Sequence, residues 1–415
     1  MLREFSAKVP DAAYRVISTL RQAGYEAFLV GGCVRDGILK RQTNDWDITT
    51  NARPNIVCSL FERVIETGIQ HGTVTVCMAS EQYEVTTYRI DQEYCDGRRP
   101  ASVVFTDSLR EDLARRDFTI NAMAYDPMSD ILFDPFEGVR DLNAGLIRAV
   151  GEAHLRLDED GLRAFRAVRF ACVLDFTLEP ELVLAIKQTV EKALLVSAER
   201  IHTEIKKTLM SGRAASGLTL LAQGGLLAGP LGALSQASRA ELDVVTSVID
   251  AMPTEWPMRL ACLASLAGDD AASLFSALKV SNKDKAMASR YLDSLTRSLP
   301  ANDADLVAYL ATLGREHWRS VLTFLSVMRP SEVEKIAHLR QRVVDARLET
   351  LPFTTKELAV DGRVLMSQLE LEPSKRIGII LNRLLMMVWS GTISNESPDL
   401  LRAAKGLVAS SGATA

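Results

Sequence analysis

From Phe28 to Thr50 the chain reads FLVGGCVRDGILKRQTNDWDITT, and apolar and polar positions divide it into four pieces. An apolar, β-prone run stops at Gly31 and Gly32. A short helical pattern follows, with Val34, Ile38 and Leu39 apolar and Arg35 and Asp36 polar. A second strand is then predicted to carry Asp45, Trp46 and Asp47. Side chains alternate along a strand, so the two aspartates share one face and the indole takes the other. Two residues of rise set their roots roughly 6.6 Å apart.

Further on, ARPNIVCSLF reads as a helix, and GTVTVCM and YEVTTYRI read as a β-hairpin around Ala79–Gln82 with Glu84 on its second strand. DQEYCDGRRPASVVF, with its charges, Gly and Pro, reads as a loop. SLREDLARRDFTINAMAYD opens on a capping pattern, Ser108 then Glu111, and places Arg115, Arg116 and Asp117 before an apolar run. FDPFEG is a turn and Leu146–Val150 a last short strand. From about Gly151 the alternation gives way to helical periodicity. The first of these helices, RLDEDGLRAFRAVRFACVL, sets Leu162, Phe165 and Val168 on an apolar stripe, with Asp160, Arg163, Arg166 and Arg169 around it. Arginines at that density commonly form a solvated face paired at i,i+3 and i,i+4. SAERIHTEIKKTLMSG follows, with Gly212 as its expected C-cap. The segment from Leu351 to Asn395 forms a last helical unit, and ASSGATA is expected to fray.

At 415 residues the chain exceeds one ordinary domain, and its 47% apolar share suits a globular protein. Six scattered cysteines without a CxxC, beside only five histidines, argue against a zinc site or a disulfide framework and for a reducing cytoplasm. The N-terminal MLREFSAKVPDAAYRVISTL reads as an amphipathic helix without a signal-peptide core. GLTLLAQGGLLAGPLGALS is broken by Gln223, glycines and Pro230, and reads as a helix, a turn and a short helix rather than a membrane span. A net charge of −5 leaves nucleic-acid contact to local basic surfaces.

The chemistry concentrates in a few places. Two aspartates on one face can lean onto a shared divalent metal, and hard oxygen ligands suit Mg²⁺ beside substrate phosphates. The double glycine lets backbone N–H groups approach an anion. No lysine follows the glycines as a P-loop requires. No histidine precedes an aspartate, so a metal-dependent HD phosphohydrolase domain is not expected. No Ser–His or Cys–His constellation offers a covalent nucleophile.

The order of strand, double glycine, helix with Arg35 and Asp-x-Asp resembles the nucleotidyltransferase superfamily. More specifically, the chain resembles the bacterial class II tRNA nucleotidyltransferase and poly(A) polymerase family, in its CCA-adding branch. GGCVRD with NDWDITT, DQEYCDGRRP, LARRDFTINAMAYD, DEDGLRAFRAVRF and AERIHTEIKK occur in the family's order over roughly half the chain. LAVDGRVLMSQL is similar to the family's C-terminal unit, although PSKRIG stands where the family often has a Pro-Gly-Pro-like turn. Gly161 is a second departure, expected to loosen the helix start.

The resemblance implies an α+β fold: a nucleotidyltransferase β-sheet head over residues 1–150, then a helical neck over 151–213, a helical body over 214–345 and a helical tail over 346–415. It implies Asp45 and Asp47 as catalytic, Mg²⁺-binding residues, and Glu84 as a candidate third carboxylate. Gly32 and Arg35 would contact the triphosphate, Arg116 the sugar and phosphate region, and Asp160, Arg163, Arg166 and Arg169 the nucleotide. The implied reaction adds the 3′-terminal CCA of tRNA from CTP and ATP in the cytoplasm. Poly(A) synthesis on the same fold and CC-only or A-only addition are the alternatives, and a silent RNA-binding scaffold would require loss of an acidic residue that is present.

Overall fold

Proline cannot sit inside a helix and restricts the residue before it. The first long helix, α1, accordingly runs Asp11–Gln22 with Pro10 as its N-cap, later than the expected start near Met1. This computed structural model describes residues 5–6, 8–43, 45–78, 81–91 and 103–411. Ala12, Ala13, Val16, Ile17 and Leu20 form the buried stripe of α1. Strand β1, Ala27–Val30, is buried at all four positions, as a central strand covered on both faces should be.

Gly31 turns the chain into α2, Gly32–Ile38, and β2, Ile48–Thr50, returns antiparallel to β1 with Leu29 opposite Ile48. Helix α3, Pro54–Leu60, precedes β3, Val64–Gly68, β4, Thr73–Met78, and β5, Glu81–Thr87. The expected hairpin is β4 with β5, paired Met78 to Glu81 at its tip. Its turn falls partly on residues 79–80, outside the described residues. So do residues 92–102 of the predicted loop DQEYCDGRRPASVVF; its two described ends are strand rather than loop, Asp91 closing β6, Arg89–Asp91, and VVF forming β7, Val103–Phe105, which pairs with β6. Helix α4, Leu109–Ala114, starts on Ser108, whose hydroxyl accepts the Glu111 N–H. Strands β8, Ala124–Asp126, and β9, Ile131–Phe133, complete a seven-stranded sheet in the order β3-β4-β5-β2-β1-β8-β9. All its neighbours are antiparallel except β2 and β5.

Beyond the sheet come α5, Gly138–Ala144, and a short parallel pair in which Leu146–Ile147 meets Thr177–Leu178. The long helix expected around DEDGLRAFRAVRF is two helices, α6, Ala153–Glu159, and α7, Leu162–Leu174. Asp160 between them is extended and Gly161 caps α7. A Cβ on Gly161 would lie 2.5 Å from the Lys192 carbonyl oxygen and 2.7 Å from the Ala193 backbone. The glycine therefore permits a close approach rather than loosening the helix start. Helices α8, Pro180–Gln188, and α9, Val190–Leu194, lead to α10, Ala198–Leu209, which packs along α7. Helix α10 ends on Met210 in right-handed geometry, so Gly212 is not its cap.

The chain divides into two compact units, Met1–Asp250 with Leu266–Val280, and Ala251–Ser265 with Ser281–Ala415. The described part of the second unit is helical. Arg329 there donates to the Leu295 and Arg297 carbonyls, supplying partners for the end of Asn282–Thr296. Its C-terminal helices, Gly362–Leu369, Lys375–Trp389 and Ser397–Ser411, enclose a core around Leu365, Leu384 and Leu400. The ASSGATA tail is helical as far as Ser411, and residues 412–415 lie outside the described residues.

Candidate active site

The site begins where β1 ends. Gly31 has φ +75°, a turn conformation that favours glycine, and a Cβ there would come within 2.8 Å of Arg116 Nη1 and displace that guanidinium. The N–H groups of the first turn of α2, from Gly32 onward, have no intrahelical acceptor and open to the cleft.

Asp45 and Asp47 differ from their expected setting. They precede β2 rather than lie in it, because β1 turns away at Gly31 and the ladder ends with Leu29 opposite Ile48. One further bond, Val30 N–H to the Asp47 carbonyl at 3.0 Å, anchors the approach. The alternation survives. Both aspartates line one cleft of about 930 Å³, while Trp46 lies in a separate hollow with Phe5. Glu84, opposite Thr75 across the β4–β5 ladder, lines the same cleft as the aspartates. Burial pushes the Asp47 carboxyl up to about 6. Arg116 opposes that rise, and Glu84 and Asp45 add to it.

The arginine-rich segments meet this carboxylate group. Arg35 forks onto Asp36 at 2.9 and 2.8 Å and donates to Asn121 at 2.6 Å. Arg116 has Asp112, Asp47 and Asp117 as charge neighbours, and its buried Nε has no protein partner. Asp112 is fully buried and accepts from Thr49 at 3.0 Å and Arg115 at 2.9 Å. Arg166 holds Asp117 at 2.7 and 2.6 Å. Burial alone would raise the Asp117 carboxyl, but Arg166, Asn121 and Arg163 reverse this and hold it well below the usual carboxylate range. Arg169 pairs with Glu204. Three guanidinium carbons, those of Arg35, Arg166 and Arg169, lie 4.9, 5.3 and 3.9 Å from the centre of the Phe170 ring.

These pairings replace the solvated face expected of α7. Arg163 does make the i,i+4 pair with Glu159, but it is buried and also donates to the Arg156 and Arg115 carbonyls at 2.7 and 3.0 Å. Asp160 accepts from the Leu162 N–H at 3.0 Å and from Arg200 at 2.7 Å, and it is not paired with Arg163. Gly32, Arg35, Asp45, Asp47, Arg116, Asp160, Arg163, Arg166 and Arg169 all line the one cleft. Sequence reasoning passed over Asp112, Phe170, Arg200 and Glu204 as site components. A signal for the last two was present, since they stand one helical turn apart in AERIHTEIKK.

A mixed sheet with a double-glycine turn, an Asp-x-Asp segment and an arginine-walled cleft, followed by helices, defines a nucleotidyltransferase. Residues 27–148 match the family described as Poly A polymerase head domain. Residues 175–234 match the probable RNA- and SrmB-binding site of polymerase A, and residues 254–404 the putative tRNA nucleotidyltransferase domain 2. The CCA-adding enzyme of Enterococcus faecalis is 34% identical over 399 residues, covering 94% of each chain. That of Lactobacillus johnsonii is 50% identical over 200 residues, covering 48% of this chain and 50% of its own. The crystal structure of the Bacillus stearothermophilus CCA-adding enzyme in complex with CTP superposes with a TM-score of 0.80 at 32% identity, covering 97% of this chain and 98% of that one. The chain belongs to the family of CCA-adding enzymes.

Proposed function

We propose that the cleft between the β1–β2 segment and α7 carries template-independent nucleotidyl transfer from CTP and ATP to the 3′-hydroxyl of tRNA, completing or repairing its CCA end and releasing diphosphate. The observation that carries this reading is the convergence of Asp45, Asp47 and the arginines on one cleft. The donor set fits Mg²⁺: hard carboxylate oxygens, one of them on an aspartate that burial and neighbouring carboxylates disfavour as a bare anion. When bound, the metal supplies activation of the attacking hydroxyl and charge neutralisation on the triphosphate. Asp45 and Asp47 are its ligands in this reading, with Glu84 adding negative potential beside them.

Arg116 and the first turn of α2 face the triphosphate and sugar, and Arg35, Arg166 and Arg169 contribute positive potential held in place by their carboxylates. Asp160 and Arg163 read the base. Cytosine and adenine each present an amino donor beside a ring-nitrogen acceptor, whereas guanine and uracil present a carbonyl beside an N–H. An acceptor on Asp160 and a donor on Arg163 suit the first pair and leave unpaired groups against the second, at about 1–3 kcal/mol per lost partner. Three of the five N–H bonds of Arg163 are engaged within the protein, which leaves two for a base.

Values of kcat/KM for all four triphosphates on tRNA lacking its terminal CCA test the reading. Asp160→Ala should raise G and U incorporation relative to C and A, and unchanged ratios remove the base-reading role. Poly(A) synthesis would show instead as repeated A addition without C. A cytoplasmic setting is part of the reading, supported by five free cysteines among the described residues.

A further inference from the structure

Asp45 and Asp47 stand beyond the last ladder pair of β1 and β2, so sheet hydrogen bonding fixes the Asp47 backbone but stops short of Asp45. Between them, Trp46 leaves the cleft and stacks on Phe5, with ring centres 6.0 Å apart and planes 14° from parallel. Phe5 is 1% exposed. The Tyr125 ring on β8 also packs against it, with centres 4.9 Å apart and planes tilted by 51°. Gly37 of α2 comes so close that a Cβ there would lie 2.0 Å from the phenylalanine ring. The backbone around Phe5 is tied as well. Its carbonyl accepts the Lys8 N–H at 2.9 Å, and Ser6 Oγ lies 2.9 Å from the Tyr14 hydroxyl of α1. The Phe5 ring is thus clamped by the sheet, by α2 and by the indole set between the two aspartates.

We propose that Phe5 is a positioning residue for the Asp45–Asp47 pair. Phe5, wedged against a tilted Tyr125 ring, stacks on and holds the indole, and the indole sets the backbone from which the two carboxylates would reach the cation. The order of the segment that lacks ladder bonds comes from this side-chain anchor. An aliphatic side chain can fill the Phe5 space but cannot hold the indole plane, and an aromatic one can. The proposal rests on Asp45 and Asp47 binding the metal, and the experiment separates the two claims.

Mn²⁺ binding to the whole protein in the presence of CTP and absence of RNA is followed by the EPR signal of free Mn²⁺, alongside the Mg²⁺ concentration for half-maximal CTP addition. Supporting groups behind a metal ligand typically change affinity by about 10–100-fold. Phe5→Ala and Phe5→Leu should weaken Mn²⁺ binding by about tenfold or more and raise the half-saturating Mg²⁺ in parallel. Trp46→Phe, which keeps an aromatic ring against Phe5 without adding atoms to the buried space, should leave both near the values of the unsubstituted protein. Leu20→Ala, a cavity in the buried stripe of α1, supplies a control for destabilisation alone and should leave Mn²⁺ affinity unchanged. If Phe5→Ala does not fold, Phe5→Leu and Trp46→Leu carry the same expectation. Phe5 variants that match the thermal loss of Leu20→Ala while binding Mn²⁺ within twofold of the unsubstituted protein overturn the positioning role. Unaltered Mn²⁺ binding in Asp45→Asn and Asp47→Asn overturns the underlying metal assignment instead.

Discussion

Gly161→Ala places two measurable effects in opposition. The glycine has φ −58° and ψ −21°, ordinary right-handed space, so alanine fits the backbone without strain. Restricting the unfolded chain should then stabilise by about 0.4–1 kcal/mol. Against this, the new methyl would stand 2.5 Å from the Lys192 carbonyl oxygen and 2.7 Å from the Ala193 Cα and N. These are backbone atoms of α9, so no side-chain rotation relieves the overlap, and helices must move apart. Forced overpacking of this kind costs about 1–3 kcal/mol. The overlap wins, for a net loss of about 1–2 kcal/mol. Urea unfolding followed by far-UV circular dichroism reads the change. Because Asp160 precedes the glycine and Arg163 follows it, kcat/KM for CTP and ATP should fall together. A midpoint equal to or above that of the unsubstituted protein would refute the close-approach argument.

Asp45→Ala and Asp47→Ala should each abolish both C and A transfer while tRNA binding by filter retention stays nearly intact; turnover near the unsubstituted rate with Mg²⁺ as the sole metal would refute the pair's role. With the Asp47 carboxyl pushed up to about 6 in the metal-free protein, proton and cation compete, so Mn²⁺ affinity should be level above pH 7 and fall toward tenfold per unit below about 6. A flat profile in calorimetric titrations between pH 5 and 7 would contradict it. Asp117→Ala removes the hydrogen-bonded carboxylate of an Arg166 guanidinium that is one-third exposed and has Glu204 as a second charge neighbour, and should cost about 1–3 kcal/mol in chemical denaturation. Since the folded Asp117 carboxyl titrates below its unfolded value, its contribution is fully present above about pH 4 and is lost only as the pH drops toward the folded value. Stability of Asp117→Ala relative to the unsubstituted protein should therefore converge in strong acid. Trimming the loop Asp91–Pro100 should spare CC addition and block the final A, and equal loss of both would make it a general structural element.

The head was legible because its strands are short and strongly patterned. Ala27–Val30, the β4–β5 hairpin and the Ser108 cap all follow from residue type. What escaped depended on neighbours distant in sequence. Asp45 and Asp47 read as strand residues because they flank Trp46 and run into the β-prone Ile48–Thr50, yet the partner strand ends at Val30. Gly161 read as a weak helix start because nothing local reveals that Lys192 and Ala193 press against it. The arginines of α7 read as surface because their carboxylates, Asp117 and Glu204, lie 49 and 35 residues away. Sequence periodicity records which face of a helix is polar, but not whether water or protein meets that face.

The pairing of every arginine around Phe170 bears on turnover. Arg35, Arg166 and Arg169 already hold Asp36, Asp117 and Glu204, so under the proposed function an arriving triphosphate would compete with fixed carboxylates for the same guanidiniums. Bare cations in a confined cleft would grip a polyanion, and the diphosphate left after each addition, more tightly. Cations with resident partners let the leaving group depart at little cost, because the internal carboxylates take its place. An enzyme that must clear its site after each of three successive additions gains from such restrained attraction.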